Sequence, residues 1–181
     1  MITLPFFIWK QFSPQPVPKE LIDRVLDVAR LAPSAVNRQP WNFYVVNSLE
    51  RNKQIALAIE PKLVEKFPQF KGMAEKQGLS NILFYDAPCV IYVTIPQDPN
   101  NNYREFDCGL AVANILLAAE EFGLGTVPVG FAYHFGKELI EKELGIPPTE
   151  YFFLSIALGY PHESVKRTPK VRRECCWKYV E

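Results

Sequence analysis

Apolar residues recur at helical intervals near the start of the chain, and a strand-like run follows them. The helical stripe consists of Leu21, Val25, Val28 and Ala32. Its spacing predicts a helix over residues 18–32, with Pro18 suited to the first turn and Pro33 closing the helix. The aromatic and β-branched run at residues 41–46 then predicts a strand.

A second helix and a charged, mixed segment come next. Ser48 is a suitable N-cap for a helix from residue 49 to about residue 59, and Pro61 is expected to interrupt that helix. Residues 61–86 mix lysines and glutamates with scattered aromatic residues, a composition that favours a mobile cover over a core segment. We therefore expect this stretch to act as a lid.

Two segments in the middle of the chain are nearly all apolar. Residues 89–95 have the composition of a strand covered on both faces, so they are expected near the centre of the sheet. Residues 107–122 are apolar around most of a helical circumference until Glu120. A helix of this kind is either the central pillar of a domain or part of a subunit interface.

The last third of the chain continues the alternation of helices and strands. Residues 126–131 predict a strand broken by Pro128 and Gly130, residues 137–144 predict a helix, and residues 151–158 predict the last strand. Strands and helices thus alternate along the whole chain. This order predicts an α/β layered domain around a mixed sheet.

The overall composition narrows the class of protein. The chain has 181 residues and 48% hydrophobic content, which suits one domain over residues 1–181. Its 20 basic residues balance its 20 acidic residues, so no net field favours nucleic acid or an anionic membrane as a partner. No apolar run approaches the roughly 20 residues that span a bilayer, and we expect a soluble protein.

The cysteines and histidines predict no metal site. They are Cys89, Cys108, Cys175, Cys176, His134 and His162. Their spacing matches no zinc or iron–sulfur motif, so we expect no bound metal, and reduced thiols in a cytoplasmic protein. Motifs of hydrolases and of the P-loop are absent as well. An enzyme without its own nucleophile or metal is a candidate for an organic cofactor that carries the reaction.

Five short motifs resemble those of the nitroreductase family and together span nearly the whole chain. The first is A-R-L-A-P-S-A-V-N-R-Q-P-W at residues 29–41. The others are V-P-K-E-L at 17–21, D-C-G-L-A-V-A-N-I-L-L-A-A at 107–119, G-L-G-T at 123–126 and L-G-Y-P at 158–161. Each motif is weak alone, but five in the family's order at suitable separations make the resemblance specific.

The resemblance implies a fold, a cofactor and a reaction. The fold is a three-layer α+β arrangement, with a central mixed, mainly antiparallel sheet flanked by helices. The cofactor is FMN, bound at the subunit interface of a homodimer, and the flavin rather than a side chain carries the chemistry. The activity is ping-pong electron transfer from NAD(P)H, or from a separate reduced ferredoxin, to a small acceptor such as a nitroaromatic or a quinone.

One turn of the family packs against the flavin, and its positions are matched here by Pro33, Ser34 and Asn37. Gln39 is an additional candidate. The hydroxyl and amide groups of these residues can bond the ribityl chain or the pyrimidine edge of FMN. The alternative for Ser34 and Asn37 is a turn in which they satisfy their own backbone.

Two further regions match positions that contact FMN in the family. Pro128, Val129 and Gly130 correspond to backbone that faces flavin N5, where glycine permits close approach; the alternative is an edge bulge around Pro128. Lys170 or Arg172 matches the arginine that binds the FMN phosphate. The alternative for these two residues is a solvated basic tail.

The N-terminal segment departs from the family pattern. Lys10 keeps a basic residue that approaches the ribityl and pyrimidine side of the flavin. The arginine and the serine that reach the phosphate are replaced by an apolar, aromatic segment, Phe6, Phe7, Ile8 and Trp9. Losing the arginine is expected to weaken FMN binding about ten- to a hundredfold. The departure keeps open a second hypothesis, a non-catalytic flavin-binding or sensing protein of the same fold.

Overall fold

Helices and strands alternate along the chain, as the sequence predicts. The computed structural model describes residues 8–165, Cys175 and residues 177–180. Within them the elements are α1 Lys19–Ala29, β1 Asn42–Val46, α2 Leu49–Lys66, α3 Met73–Lys76, β2 Cys89–Pro96, α4 Arg104–Glu121, β3 Gly125–Val129, α5 Gly130–Leu144 and β4 Glu150–Gly159. Short 3₁₀ turns lie at Ala35–Asn37 and Pro68–Phe70.

The strands form one sheet in the order β1–β2–β4–β3, and every neighbouring pair is antiparallel. In the described part of the chain, parallel pairing is limited to an isolated bridge between Ile8 and Thr126. β2 lies inside the sheet, and its side chains alternate between two hydrophobic clusters, with Val90 in one and Ile91 in the other. The prediction of a central strand covered on both faces is confirmed.

Helices cover both faces of the sheet and make three layers. On one face α1 packs against α4, and α1 buries Ile22, Val25 and Ala29. On the other face α2 packs against α5. The two helices approach closely at Gly136, where an added Cβ atom would clash with Cδ1 of Ile59. The predicted three-layer α+β architecture is confirmed.

The prediction that Pro61 interrupts the second helix is wrong. α2 continues through this proline to Lys66. A proline removes one helical hydrogen bond and crowds the preceding turn, but Ile59 and Leu63 on either side of it are buried in the core. Burial of this apolar face stabilises the last turns of α2 and offsets the cost of the proline.

The expectation that residues 61–86 lie outside the core is also wrong. Besides Leu63 at the end of α2, the second half of the segment has four residues buried in the same hydrophobic cluster, namely Leu79, Ile82, Leu83 and Phe84. These four residues have neither a helical nor a strand spacing, and they follow a charged stretch. The sequence pattern therefore did not indicate that they are buried. The segment is therefore partly a wall of the core rather than a cover over it.

The boundary between β3 and α5 differs from the prediction. The strand expected at residues 126–131 ends at Val129, and the helix expected at residues 137–144 already begins at Gly130. Pro128 is tolerated inside β3 because β3 is the last strand at its edge of the sheet. The strand passes into the helix without a loop, so the end of one element and the start of the other meet at one point.

Candidate functional site

A cavity of about 360 Å³ lies beside the junction of β3 and α5. This volume falls within the range of roughly 300–1,000 Å³ that is usual for small-molecule sites. The cavity is lined by Ile8, Lys10, Leu63, Phe70, Ile82, Leu83, Tyr85, Val127, Pro128, Val129, Gly130, Phe131 and His134. Mostly apolar walls with a few polar groups are typical of a site for a largely apolar ligand.

The β3–α5 junction forms one wall of the cavity. Because α5 begins at Gly130, the N–H groups of its first turn have no carbonyl partner within the helix. A Cβ atom added at Gly130 would meet no other atom within 4 Å, so the backbone there faces open space. On the other side, the Ser155 hydroxyl donates to the Val129 carbonyl over 3.2 Å and fixes the end of the strand. A ligand can therefore approach this backbone closely.

The N-terminal segment forms the mouth of the cavity. The backbone N–H of Trp9 donates a hydrogen bond to the Thr126 carbonyl over 3.1 Å, which joins the segment to the edge of β3. The Trp9 indole is buried against Gly125, where an added Cβ atom would lie 2.5 Å from the indole Cδ1. Trp9 thus packs in the core and holds the neighbouring Lys10 at the cavity. Phe6 and Phe7 lie outside the described residues.

Lys10 supplies positive charge to the cavity. Its Nζ lies 5.9 Å from the centre of the Tyr85 ring, and no Asp or Glu of the described part lines the cavity or pairs with Lys10. A cation beside apolar walls attracts an anionic or electron-rich ligand more strongly than it would in open water.

Residues 80–86, which belong to the segment expected to act as a lid, form a further wall of the cavity. The Asp86 carboxylate accepts hydrogen bonds from the backbone N–H groups of Ser80 and Asn81 and from both of their side chains, at 2.7–3.2 Å. The Asn81 side-chain oxygen accepts from the Phe84 N–H over 2.7 Å. The sequence predicted that this segment lies near the site, but it gave no signal for the hydrogen bonds that Asp86 makes with Ser80 and Asn81.

The other predicted flavin residues lie in a separate loop at residues 34–39, hereafter the 34–39 loop. None of them, nor Pro33, lines the cavity. The Ser34 hydroxyl accepts from the Gln39 N–H over 2.9 Å, and the Gln39 amide donates to the Asn37 side-chain oxygen over 3.0 Å. In the single chain these residues therefore form hydrogen bonds with one another. This matches the alternative given above, a turn whose polar side chains bond locally.

The structure thus divides the predicted site residues into two groups. Lys10, Pro128, Val129 and Gly130 meet at one cavity, whereas the 34–39 loop lies apart from it. Gln39 lines a second, more polar cavity of about 400 Å³ together with Arg38 and Asp98, whose side chains form an ion pair at 2.9 Å. The two tail candidates, Lys170 and Arg172, lie outside the described residues.

The buried thiols have no reactive character. Burial raises the pKa of Cys89 and the pKa of Cys108 to about 12, so both stay protonated and behave as small apolar side chains. The described residues hold no group of three His, Cys, Asp or Glu side chains that could bind a metal ion. Nor does any helix among them combine the length and apolar character that crossing a membrane requires.

Comparison with known proteins identifies the family. The model of the nitroreductase family matches residues 9–160. A protein of Methanothermobacter thermautotrophicus, named as an NADH dehydrogenase/NAD(P)H nitroreductase, is 34% identical over 158 residues, which cover 86% of this chain and 73% of that protein. The chain belongs to the nitroreductase family, and the predicted family is confirmed.

Further relatives share the fold under different names. A solved nitroreductase with bound FMN from Desulfitobacterium hafniense superimposes with a TM-score of 0.76 at 28% identity, covering 97% of this chain and 94% of that chain. An iodotyrosine deiodinase of Haliscomenobacter hydrossis is 26% identical over 188 residues, covering 91% of this chain and 79% of that protein. The family therefore includes proteins named for more than one reaction.

Proposed function

We propose that the protein is an FMN-dependent oxidoreductase that transfers electrons from NAD(P)H to a small acceptor such as a nitroaromatic or a quinone. One observation carries the proposal: Lys10 and the open backbone at Gly130 face the same apolar cavity. Membership of the nitroreductase family supports it, as do a relative named as an NAD(P)H nitroreductase and an FMN-bound relative.

The residues of the cavity fit a flavin. The ring system of FMN is planar and largely apolar, and its edges carry oxygen and nitrogen atoms that accept hydrogen bonds. Apolar walls suit the ring faces, and the Lys10 ammonium suits the edge where negative charge develops on reduction. The free N–H groups at the start of α5 offer donors to the ring nitrogens.

Bound FMN would supply the electron-transfer chemistry. The chain's own residues have three tasks. Lys10 holds positive charge beside the ligand, the backbone of Val129 and Gly130 orients it, and Phe70 and Phe131 exclude water from the cavity. The described part of the cavity provides no carboxylate or thiol that would act as a nucleophile, which agrees with chemistry carried by a cofactor.

We also propose that the protein acts as a homodimer through the outer side of α4. This side, hereafter the α4 stripe, carries Phe106, Leu110 and Leu117. Phe106 is 74% exposed and Leu110 is 46% exposed, although both are large apolar residues. A row of such side chains on one side of a helix is typical of a protein–protein interface. The inner side of α4 meanwhile packs in the core, so one helix would serve both roles that the sequence left open.

The 34–39 loop adjoins the α4 stripe. The Ala35 N–H is bonded to both oxygens of the Asp107 carboxylate at 3.1 and 3.2 Å, and Asp107 follows Phe106 on α4. A two-fold dimer formed through the stripe carries each 34–39 loop onto the partner subunit. We propose that Ser34, Asn37 and Gln39 of one subunit complete the flavin site of the other, which accounts for their separation from the cavity in a single chain.

The remaining parts of the proposal concern the phosphate and the location. Lys170 or Arg172 is proposed to bind the FMN phosphate, because Ile8 and Trp9 do not replace the arginine and serine of the family pattern. A cytoplasmic location is supported by the free, buried thiols of Cys89 and Cys108.

The experiment that tests the function is a titration of the purified protein with FMN, followed by anaerobic addition of NADH or NADPH. We expect saturable binding and bleaching of the flavin band near about 450 nm. Lys10→Gln should weaken FMN binding about tenfold because a charge-assisted contact is lost. Lys142→Gln, an exposed lysine in the last turn of α5, is the matched control and should bind like the wild type.

Each other outcome separates a different alternative. If bound FMN is bleached by reduced ferredoxin and by neither nucleotide, ferredoxin rather than NAD(P)H is the electron donor. Binding without reduction by any of these donors would favour the non-catalytic flavin-binding protein. Absence of FMN binding would contradict the proposal as a whole.

A further inference from the structure

The backbone of residues 80–86 holds an unusual conformation beside the cavity. Tyr85 and Asp86 have φ angles of 54° and 59°, so two successive residues other than glycine occupy the left-handed region. This conformation is costly for a bulky side chain such as tyrosine. Strain of this kind persists only where the surrounding structure enforces it, and it concentrates at functional sites.

The surrounding structure enforces the conformation through a dense set of hydrogen bonds. The Asp86 carboxylate receives four donors from Ser80 and Asn81, and the Ala87 N–H closes a tight turn onto the Phe84 carbonyl over 3.0 Å. Asn81 itself is buried. The chain thus fixes the position of Tyr85 from both sides.

The side chain presented by this turn has a free donor. Tyr85 lines the cavity and is half-buried, and within the described part of the chain no hydrogen bond to its hydroxyl is seen. Burial raises the pKa of the phenol above its ordinary value, so the hydroxyl stays protonated at neutral and mildly alkaline pH. The Lys10 ammonium lies over the same ring. A neutral donor and a cation therefore border one space.

We propose that Tyr85 is a ligand-binding residue whose hydroxyl donates a hydrogen bond to a conjugated oxygen, a carbonyl or nitro oxygen, of a planar molecule in the cavity. The proposal rests on the proposed function, since it assigns a residue of the same site. Lys10 and Tyr85 together suit an oxygen that gains negative charge during reduction. His134, the other polar side chain of the lining, is exposed at the rim.

Two molecules carry an oxygen of this chemistry. One is FMN, through its ring carbonyls, and the other is the acceptor, through its nitro or quinone oxygen. Both would use the same donor in the same way. The test therefore has one arm for each source.

The test compares Tyr85→Phe with the wild type, because this change removes the hydroxyl and keeps the ring. Tyr160→Phe is the matched control, since the Tyr160 ring packs against the other hydrophobic cluster and does not line the cavity. In the first arm, apoprotein is titrated with FMN by fluorescence quenching. In the second, oxidised FMN-loaded protein is titrated with 4-nitrobenzoate, and perturbation of the flavin absorption reports binding. Thermal melts verify that each variant is folded.

We expect Tyr85→Phe to weaken binding about two- to tenfold in one arm, the loss of one neutral hydrogen bond. An effect in the first arm, with a shift of the bound flavin's visible band, assigns the bond to FMN; an effect in the second arm alone assigns it to the acceptor. Wild-type affinity of Tyr85→Phe in both arms would overturn the inference and leave the proposed function intact. Failure of the wild type to bind FMN would instead overturn the proposed function and this inference with it.

Discussion

Two loops of this protein hold residues other than glycine in the left-handed region, and they differ in what supports them. In the 80–86 loop the strained residues are Tyr85 and Asp86, and the hydrogen bonds that hold them come from within the loop. In the 34–39 loop the strained residues are Val36, Asn37 and Gln39. That loop also has internal hydrogen bonds, between Gln39 and the side chains of Ser34 and Asn37. Unlike the 80–86 loop, it is tied in addition to a distant helix through the Ala35 N–H and Asp107.

The two loops also differ in what covers them. The 80–86 loop is flanked by the buried Leu83 and Phe84 and lines a cavity of the same chain. The 34–39 loop instead places Val36 at 88% exposure. This exposure is compatible with the proposal that a partner subunit covers the 34–39 loop, although a single exposed apolar side chain is common on protein surfaces. The first loop therefore lines a cavity within one chain, whereas the second is proposed to meet a partner subunit.

The largest effect is expected from disrupting the proposed dimer interface at the α4 stripe. Leu110→Asp places a charge in the centre of the α4 stripe, where burial in an interface would strongly penalise it. We expect a monomer in sedimentation analysis and FMN binding weakened roughly a hundredfold, about 3 kcal/mol. Leu57→Asp is the matched control, because Leu57 is similarly exposed on α2. A dimeric Leu110→Asp variant with normal FMN affinity would contradict the proposal that the α4 stripe forms the dimer interface.

The next effect is expected from breaking the self-contained loop. Asp86→Ala removes the acceptor of four donors and leaves the buried Asn81 side chain without it. We expect the free energy of unfolding to fall by about 2 kcal/mol, measured by urea denaturation. Asp27→Ala, at an exposed ion pair with Arg30, should change it by less than about 0.5 kcal/mol. Equal effects of the two changes would contradict the role assigned to Asp86.

A smaller effect is expected at the N-terminal wall of the cavity. Gly125→Ala places a Cβ atom against the Trp9 indole, which cannot move aside easily because it is buried. We expect a loss of about 1.5 kcal/mol in unfolding free energy, with weaker FMN binding because Lys10 moves with Trp9. Shortening the partner side chain in Gly125→Ala/Trp9→Leu should cost less than the sum of the single changes. Strict additivity would show that the contact is not the cause.

The smallest expected effect is a dependence of the free energy of unfolding on pH. It arises from two buried thiols, one near each loop. Cys89 follows the 80–86 loop, and Cys108 follows the Asp107 anchor of the 34–39 loop. Their folded pKa values of about 12 lie above the unfolded value of about 8.5. The folded state therefore keeps protons that the unfolded state loses, and stability falls as pH rises above about 8.5.

Urea denaturation at pH 8 and pH 9 measures this dependence. We expect each thiol to lower the free energy of unfolding by about 0.7 kcal/mol over that interval. Cys89→Ala should remove its share of the pH dependence, whatever it does to stability at pH 8. An unchanged slope in that variant would mean that Cys89 is not held protonated by burial.

Sequence patterns predicted those parts of the fold in which a local period matches burial. The buried strand β2 follows directly from its apolar run. The helix α1 was predicted too, but it ends at Ala29 rather than at residue 32, and the face it buries is centred on Ile22, Val25 and Ala29. The end of α2 could not be predicted in this way, because Pro61 is a local signal that burial of Leu63 overrides. The early start of α5 was missed because Gly130 and Pro128 have the same appearance in a broken strand and at a strand–helix junction.

The candidate site was predictable to the extent that family motifs mark it. Lys10 and Gly130 were identified on matched positions, and the structure brings them to one cavity. Tyr85 was not distinguished from other tyrosines, because its role depends on a backbone conformation enforced by Asp86 and not on a motif. The roles of Ser34 and Asn37 remain predictions, since a single chain does not contain the surface they are proposed to meet.

The most direct test of the composite site is complementation between two variants. Lys10→Glu alters the cavity, and Ser34→Glu alters the 34–39 loop; each should lack FMN binding at a concentration that saturates the wild type. In a heterodimer of the two, one site carries both changes and the other carries neither. Random subunit exchange should then restore FMN binding to about a quarter of the wild-type capacity. Absence of any restored binding in verified heterodimers would contradict a site shared between subunits.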